Sequence, residues 1–269
     1  VASSIRVGVF DSGLGGLTVV SAILKQLPNI DLIYIADSAR SPYGEKSHDT
    51  IKRYSFEIAN YLIKTYNIDA LVLACNSATS ASIKDLREHY NTLPIIGIEP
   101  GIKPAIKVTK SKKIGVLATP ATLSGKKYQD LIRVSAKDSN VKLYEQPCFG
   151  LAKMIEEGKA NSQETKELLK RWLEPMRDDS VDTIVLGCTH YPLVKDAIKE
   201  IMKRDINFIE TGEAIAKRLE SLLSKPLPKS GGLLKIYSTG KIDKEAVKNI
   251  LGFEVDIKEL NLRDLKGEV

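Results

Sequence analysis

Asp182-Thr183-Ile184-Val185-Leu186-Gly187-Cys188-Thr189-His190-Tyr191-Pro192 reads as a buried strand running into a turn and then a helix. The apolar, β-branched run suits a strand covered on both faces of a parallel sheet. It stops at Gly187-Cys188, and Pro192 suits the first turn of a following helix. A thiol is thereby delivered to the carboxyl end of a strand, where open α/β sheets bind ligands. Free helix N–H groups there would stabilise a thiolate and draw its pKa below the usual value of about 8.5. His190 follows two residues on and is placed to exchange a proton or polarise a group.

One such Cys reads equally well as a small core hydrophobe. A second stretch tips the balance. Asp69-Ala70-Leu71-Val72-Leu73-Ala74-Cys75-Asn76-Ser77 repeats the order of acid, apolar run, small residue, Cys and small polar residue, with its Cys 113 positions before Cys188. Two cysteines at equivalent strand ends are expected to face one site.

The alternation that surrounds them sets the fold class. Strands are expected near 5–10, 31–36, 70–74, 94–98, 113–118, 141–146, 182–187, 206–210 and 233–238. Amphipathic helices are expected near 16–27, 49–66, 79–90, 121–135, 162–177, 193–203, 213–224 and 242–250. Strand and helix in turn mean an α/β protein with mainly parallel sheets.

An internal repeat divides the chain. Gly8-Val9-Phe10-Asp11 matches Gly115-Val116-Leu117-Ala118 at an offset of 107, and Ile98-Glu99-Pro100-Gly101 matches Ile209-Glu210-Thr211-Gly212 at 111. With the two Cys strands at 113, three matches run in one order at nearly one offset. Two similar α/β domains related by a pseudo-two-fold are expected, with a ligand cleft between them.

Composition narrows the function classes. The chain has 269 residues, 43% apolar and 28% charged, which suits a folded protein of one or two domains. Its net charge is +6, but basic and acidic residues are interspersed and no Arg-rich run or aromatic stacking motif accompanies them. That argues against nucleic-acid binding and for a modest attraction to small anions. Three Cys without close pairs do not form a disulfide framework or a zinc ribbon. No apolar run approaches about 18 residues and no signal-peptide core is visible, so a soluble, cytoplasmic protein without a membrane partner is expected.

The remaining candidate groups cluster at strand ends. Asp11-Ser12-Gly13-Leu14-Gly15-Gly16 is a tight turn whose amides are suited to a carboxylate or phosphate. Thr18 stands where a dinucleotide-binding turn needs its last Gly, and the Lys-Ser/Thr of a P-loop is lacking. Asp11 is placed to cap a helix, bind an ammonium or assist Cys75. Pro42-Tyr43-Gly44 marks an ordered loop. Asn76 and Ser77 can bond a carboxylate or cap the next helix, and Thr119 and Thr122 can do the same. Cys148 lacks polar companions and reads as structural, His48 and His89 read as surface residues, and Glu156 reads by default as a solvated helix position.

Two opposed thiols, an acid and a His suit proton transfer at carbon. A thiolate on one face removes a proton while a thiol on the other returns one, and the stereocentre inverts. One thiol must be ionised and the other intact, with Asp11 and His190 tuning that difference.

At this point the chain resembles the glutamate racemases, within the wider aspartate/glutamate racemase superfamily, along nearly its whole length. The motifs that carry the resemblance are Asp11-Ser12-Gly13-x-Gly15-Gly16, Pro42-Tyr43-Gly44, Ala74-Cys75-Asn76, Ala118-Thr119-Pro120-Ala121-Thr122 and Gly187-Cys188-Thr189-His190-Tyr191-Pro192-Leu193. The resemblance implies interconversion of L- and D-glutamate without pyridoxal phosphate or another cofactor, supplying D-glutamate for peptidoglycan. It implies that Cys75 deprotonates D-glutamate and Cys188 deprotonates L-glutamate. Asp11 would assist Cys75, and His190 with Glu156 would assist Cys188. Ser12, Tyr43, Gly44, Asn76, Ser77, Thr119, Thr122 and Thr189 would contact substrate, together with Asp11 and His190. It also implies a homodimer and a first domain of residues 1–98 and 211–269 enclosing a second of 99–210. Ser77-Ala78-Thr79 stands where Thr-Ala-Ser is usual, and Glu210 stands where Asp often leads. An aspartate or other small amino-acid racemase is the nearest alternative, and a non-catalytic anion-binding module a remote one.

Overall fold

The computed structural model describes residues 4–136 and 139–266. Its strands are β1 (Arg6–Asp11), β2 (Asp31–Ala36), β3 (Ala70–Leu73), β4 (Ile95–Gly97), β5 (Lys113–Ala118), β6 (Lys142–Pro147), β7 (Thr183–Gly187), β8 (Asn207–Ile209), β9 (Leu234–Ser238) and β10 (Ile257–Glu259). Its helices are α1 (Leu17–Gln26), α2 (His48–Tyr66), α3 (Asn76–His89), α4 (Ile102–Val108), α5 (Pro120–Leu123), α6 (Lys126–Ala136), α7 (Leu151–Glu156), α8 (Gln163–Asp178), α9 (Lys195–Met202), α10 (Gly212–Leu222), α11 (Lys244–Leu251) and α12 (Leu262–Lys266).

The strands form two parallel sheets, one per α/β domain, in the orders β10-β9-β2-β1-β3-β4 and β6-β5-β7-β8. The sequence repeat is visible in that order: β2-β1-β3-β4 and β6-β5-β7-β8 are the same arrangement, with β1 equivalent to β5 and β3 to β7. Val9 pairs with Tyr34 on one side and Val72 on the other, as Val116 pairs with Glu145 and Val185. β3 and β7 are buried along their whole length, as expected of central strands in a sheet covered on both faces. The Cys-bearing ends of both strands thus lie at corresponding places.

Helices bind the halves together by exchange. α4 follows β4 of the first sheet but packs on β7 and α6 of the second, burying Ile102 and Ala105 against Val116, Tyr128 and Val185. α10 follows β8 of the second sheet but packs on α1 of the first, burying Ile215, Ala216 and Leu219. The close chain approach at Gly101 explains the Gly: a Cβ there would lie 2.5 Å from Ile209 Cγ2.

Two expectations need adjustment, and three short elements add to those expected. The helix expected at 121–135 is two, α5 and α6, parted at Ser124-Gly125, where a Cβ on Gly125 would strike Ser80 Oγ. α4, β10 and α12 were not foreseen, being short and poorly periodic. Pro192 lies in a four-residue 3₁₀ turn, Tyr191–Val194, rather than in the α-helix, which starts at Lys195. The expected first-domain segment reaches residues 1–3 and 267–269, which lie outside the described residues.

Candidate active site

On the first-domain side, Asp11 ends β1 and is fully buried. Its Oδ2 accepts the Gly16 amide at 2.6 Å and the Thr189 hydroxyl of the other domain at 3.2 Å. Its Oδ1 has no hydrogen-bond partner among the described residues. Burial raises the Asp11 pKa, against the pull of the nearby His190 charge. Cys75 caps α3, its sulfur accepting the Ala78 amide at 3.5 Å. The expected helix-terminal N–H is therefore present, yet burial and the Asp11 charge push the Cys75 thiol well above the ordinary range. One long N–H···S contact does not offset desolvation beside a carboxylate.

On the second-domain side, the turn after β7 does not offer Cys188 an α-helix N-terminus. The sulfur instead lies 3.6 Å from His190 Nδ1, and His190 Nε2 lies 2.5 Å from Glu156 Oε1. Burial alone would hold the imidazole pKa down, but the hydrogen bonds to Cys188 and Glu156 carry it well above the usual histidine value. Glu156 ends α7 as a nearly buried carboxylate rather than a solvated one: its side chain is 13% exposed.

The two sides are stitched together. Glu156 Oε1 also accepts the Leu14 amide at 2.7 Å across the cleft. The glycine turn thus presents amides to the chain's own Glu156 and Asp11, where a ligand anion was the expectation. Ser77 Oγ and Thr119 Oγ1 pair at 2.9 Å across the domains, and Thr119 Oγ1 also donates to Thr122 Oγ1 at 2.9 Å and accepts the Thr122 amide. Ala121 N donates to Gly44 O at 2.9 Å, and a Cβ on Gly44 would lie 2.6 Å from Thr119. His48, expected at the surface, is half-buried and contacts Ala121 O through Nε2 at 2.9 Å, whereas His89 is exposed. Cys148 is buried, and burial raises its thiol pKa.

Ser12, Asn76, Ser77, Thr119, Thr122, Thr189 and His190 are all buried around these contacts. Asn76 stands apart, because both atoms of its buried amide have no partner among the described residues. A cavity of about 600 Å³ has Asn76, Cys188 and Thr189 in its lining, together with residues of α1 and α10, Lys25 and Lys217 among them. Cys75 does not line it, but lies near enough that charge on Cys188 raises its pKa. Tyr43 is the exception among the expected contacts: its ring is fully buried, its hydroxyl bonds Asp37 and its carbonyl accepts the Lys46 amide at 2.9 Å, so its side chain is not open to a ligand. Among the described residues no group of three His, Cys, Asp or Glu is placed to hold a metal ion, and no helix is long and apolar enough to cross a membrane.

The sequence assigns Asp37 and Arg40 no role of their own, and it points the amides of the Leu14 turn at a ligand rather than at Glu156. Asp37 was open to discovery, since it follows β2 as Asp11 ends β1. The Leu14 amide carries no side-chain signal.

The family model of Asp/Glu/Hydantoin racemase matches residues 8–219. A glutamate racemase of Sulfurovum sp. (strain NBC37-1) is 55% identical over 248 residues, 91% of this chain and 94% of that protein. The crystal structure of glutamate racemase isoform RacE1 from Bacillus anthracis superposes with a TM-score of 0.83 at 33% identity, covering 97% of this chain and 99% of the other. That of the Francisella tularensis subsp. tularensis SCHU S4 glutamate racemase in complex with D-glutamate gives 0.80 at 30% identity, covering 96% and 97%.

Proposed function

Because this chain belongs to the Asp/Glu/hydantoin racemase family, we propose that it interconverts L- and D-glutamate by proton transfer between two thiols. The carrying observation is the pair of buried free cysteines at equivalent strand ends of the two domains. Each has its own titratable neighbour, Asp11 for Cys75 and the His190–Glu156 pair for Cys188.

In this reading the Cys75 thiolate takes the Cα proton of D-glutamate and the Cys188 thiol delivers a proton to the opposite face. L-Glutamate leaves behind a protonated Cys75 and an ionised Cys188, which run the reverse reaction. The substrate ammonium, beside the unpartnered Oδ1 of Asp11, offsets the burial and charge that hold the Cys75 proton in place. Imidazolium at His190 supports a Cys188 thiolate. The proton transfers draw on protein groups alone.

Ser12, Asn76, Ser77, Thr119, Thr122 and Thr189 bind the substrate carboxylates and ammonium, with the backbone of Tyr43 and Gly44. The Ser77–Thr119 and Asp11–Thr189 pairs exchange their mutual hydrogen bonds for bonds to substrate. The domains are residues 1–98 with 211–269 and residues 99–210, consistent with the sides on which α4 and α10 pack. The protein works in the cytoplasm as a homodimer, supplying D-glutamate for peptidoglycan.

Circular dichroism of D-glutamate incubated with the purified protein, without added cofactor, tests this reading. Decay of the signal to zero is expected. An unchanged signal, or faster turnover of D-aspartate, overturns it.

A further inference from the structure

A buried polar cluster lies beneath the 37–44 loop and ties it to the C-terminal part of the chain. Asp37 is fully buried, and its Oδ2 accepts Arg40 Nε at 2.7 Å and the Tyr43 hydroxyl. Arg40 is itself held by Glu57 and lies 4.0 Å above the Tyr54 ring. The other carboxylate oxygen, Oδ1, accepts Thr239 Oγ1 at 2.8 Å, and that hydroxyl accepts the Ala39 amide at 3.0 Å.

Thr239 follows β9, a strand with no counterpart in the second sheet. Its own amide donates to Ala36 O at 3.0 Å. The next residue has no room for a side chain, since a Cβ on Gly240 would lie 2.8 Å from Ala39 N. The strand added to the first sheet therefore grips the start of the loop by backbone and side chain together. The far end of the loop, Gly44, is in contact with Thr119 and Ala121 of the second domain.

We infer that Thr239 is a positioning residue for glutamate binding, acting through Asp37 to fix where Tyr43 and Gly44 meet the cleft. This rests on the reading that the backbone of Tyr43 and Gly44 contacts the substrate. The physical ground is the division of labour on one carboxylate. Arg40 and Tyr43 hold Oδ2, so a carboxylate released at Oδ1 is left buried with an unsatisfied oxygen, and the Ala39 amide loses its acceptor at the same time. The group then turns to find new partners and takes the Tyr43 hydroxyl with it. Thr239 touches no reacting atom, so its effect falls on binding rather than on the proton transfers.

The test compares steady-state kinetics of Thr239→Val, which keeps the side-chain shape without the hydroxyl, and Thr239→Ser, which keeps the hydroxyl. Thr239→Val is expected to raise KM for both glutamate enantiomers about tenfold, the order expected for one lost hydrogen bond, while kcat stays within about threefold. Thr239→Ser is expected to stay within about twofold of the parent in both. Thr239→Ala is read in the same way should the valine variant not fold. A lower Tm with an unchanged KM would mean a purely structural role and overturns the inference. Gly44→Ala separates the two levels. If it raises KM while Thr239→Val does not, the loop reading stands and the role of Thr239 fails. If neither variant changes KM, the loop reading itself fails.

Discussion

Glu156 Oε1 sits 2.5 Å from His190 Nε2, and the opposite ring nitrogen of His190 faces the Cys188 sulfur at 3.6 Å. The imidazole is thus a bridge between a carboxylate and a thiol, and it holds its proton more tightly in the folded chain than in the unfolded one. A raised histidine pKa adds stability that is complete below the unfolded value of about 6.5 and fades as pH rises through the folded value. Glu156→Gln removes the partner charge. The Tm gap between parent and variant should therefore be wider at about pH 6 than at about pH 9. A gap independent of pH would mean that His190 is not charged by this partnership.

Gly13 allows Glu156 to reach the Leu14 amide. A Cβ on Gly13 would lie 1.7 Å from Glu156 Oε1, so Gly13→Ala must expel the carboxylate. The expected result is a loss of about 1–3 kcal/mol in unfolding free energy, the usual scale of steric overpacking, with a fall in kcat from a misdirected His190. Denaturant titration and initial rates check both. A variant with parental stability and kcat would show that the clasp is dispensable.

Asn76 carries a buried amide with neither atom bonded among the described residues, an arrangement that disfavours the substrate-free fold. Asn76→Ala should leave Tm equal to or above that of the parent and raise KM for glutamate about tenfold. Opposite movement of stability and binding is the signature of a group held ready for a ligand. A drop in Tm with KM unchanged would assign Asn76 to packing instead.

Asp182 immediately precedes β7 and gathers the Thr109 hydroxyl at 2.7 Å and the Lys110 and Ser111 amides at 2.8 Å each. Desolvation works against ionisation there, but these hydrogen bonds prevail and bring its pKa down to about 2. A depressed carboxylate pKa adds stability present above the unfolded value of about 3.9 and lost as pH falls through the folded value. Asp182→Asn should lower Tm at neutral pH, and the difference from the parent should shrink between about pH 4 and pH 2. A constant difference over that range would place the effect elsewhere than in the charge.

What the sequence made legible was local. The apolar runs before Cys75 and Cys188, each begun by an Asp, gave the central strands and the thiol positions, and the repeat offsets pointed to two similar α/β halves, which the matching strand orders of the two sheets bear out. Contacts made at a distance were hidden. Glu156 lies 142 residues from Leu14, and its α7 environment looks solvated until the other domain covers it. The exchange of α4 and α10 leaves no periodicity to read, and only the domain bounds implied by the resemblance anticipate it. The Cys75 pKa followed the same rule: the helix amide that lowers it is a neighbour in sequence, while the burial and Asp11 charge that raise it come from the assembled site. Pro192 suits the first turn of both an α-helix and a 3₁₀ helix, so the type of turn after Cys188 was open.

The most direct measurement of the two-thiol claim is deuterium uptake at Cα during early turnover in heavy water, followed for each glutamate enantiomer with the parent protein. Deuterium is expected in the inverted product and not in the recovered substrate if, as proposed, the abstracting and delivering sulfurs stand on opposite faces. Equal labelling of product and recovered substrate at early times would mean that a single group serves both faces, and would contradict the assignment of Cys75 and Cys188.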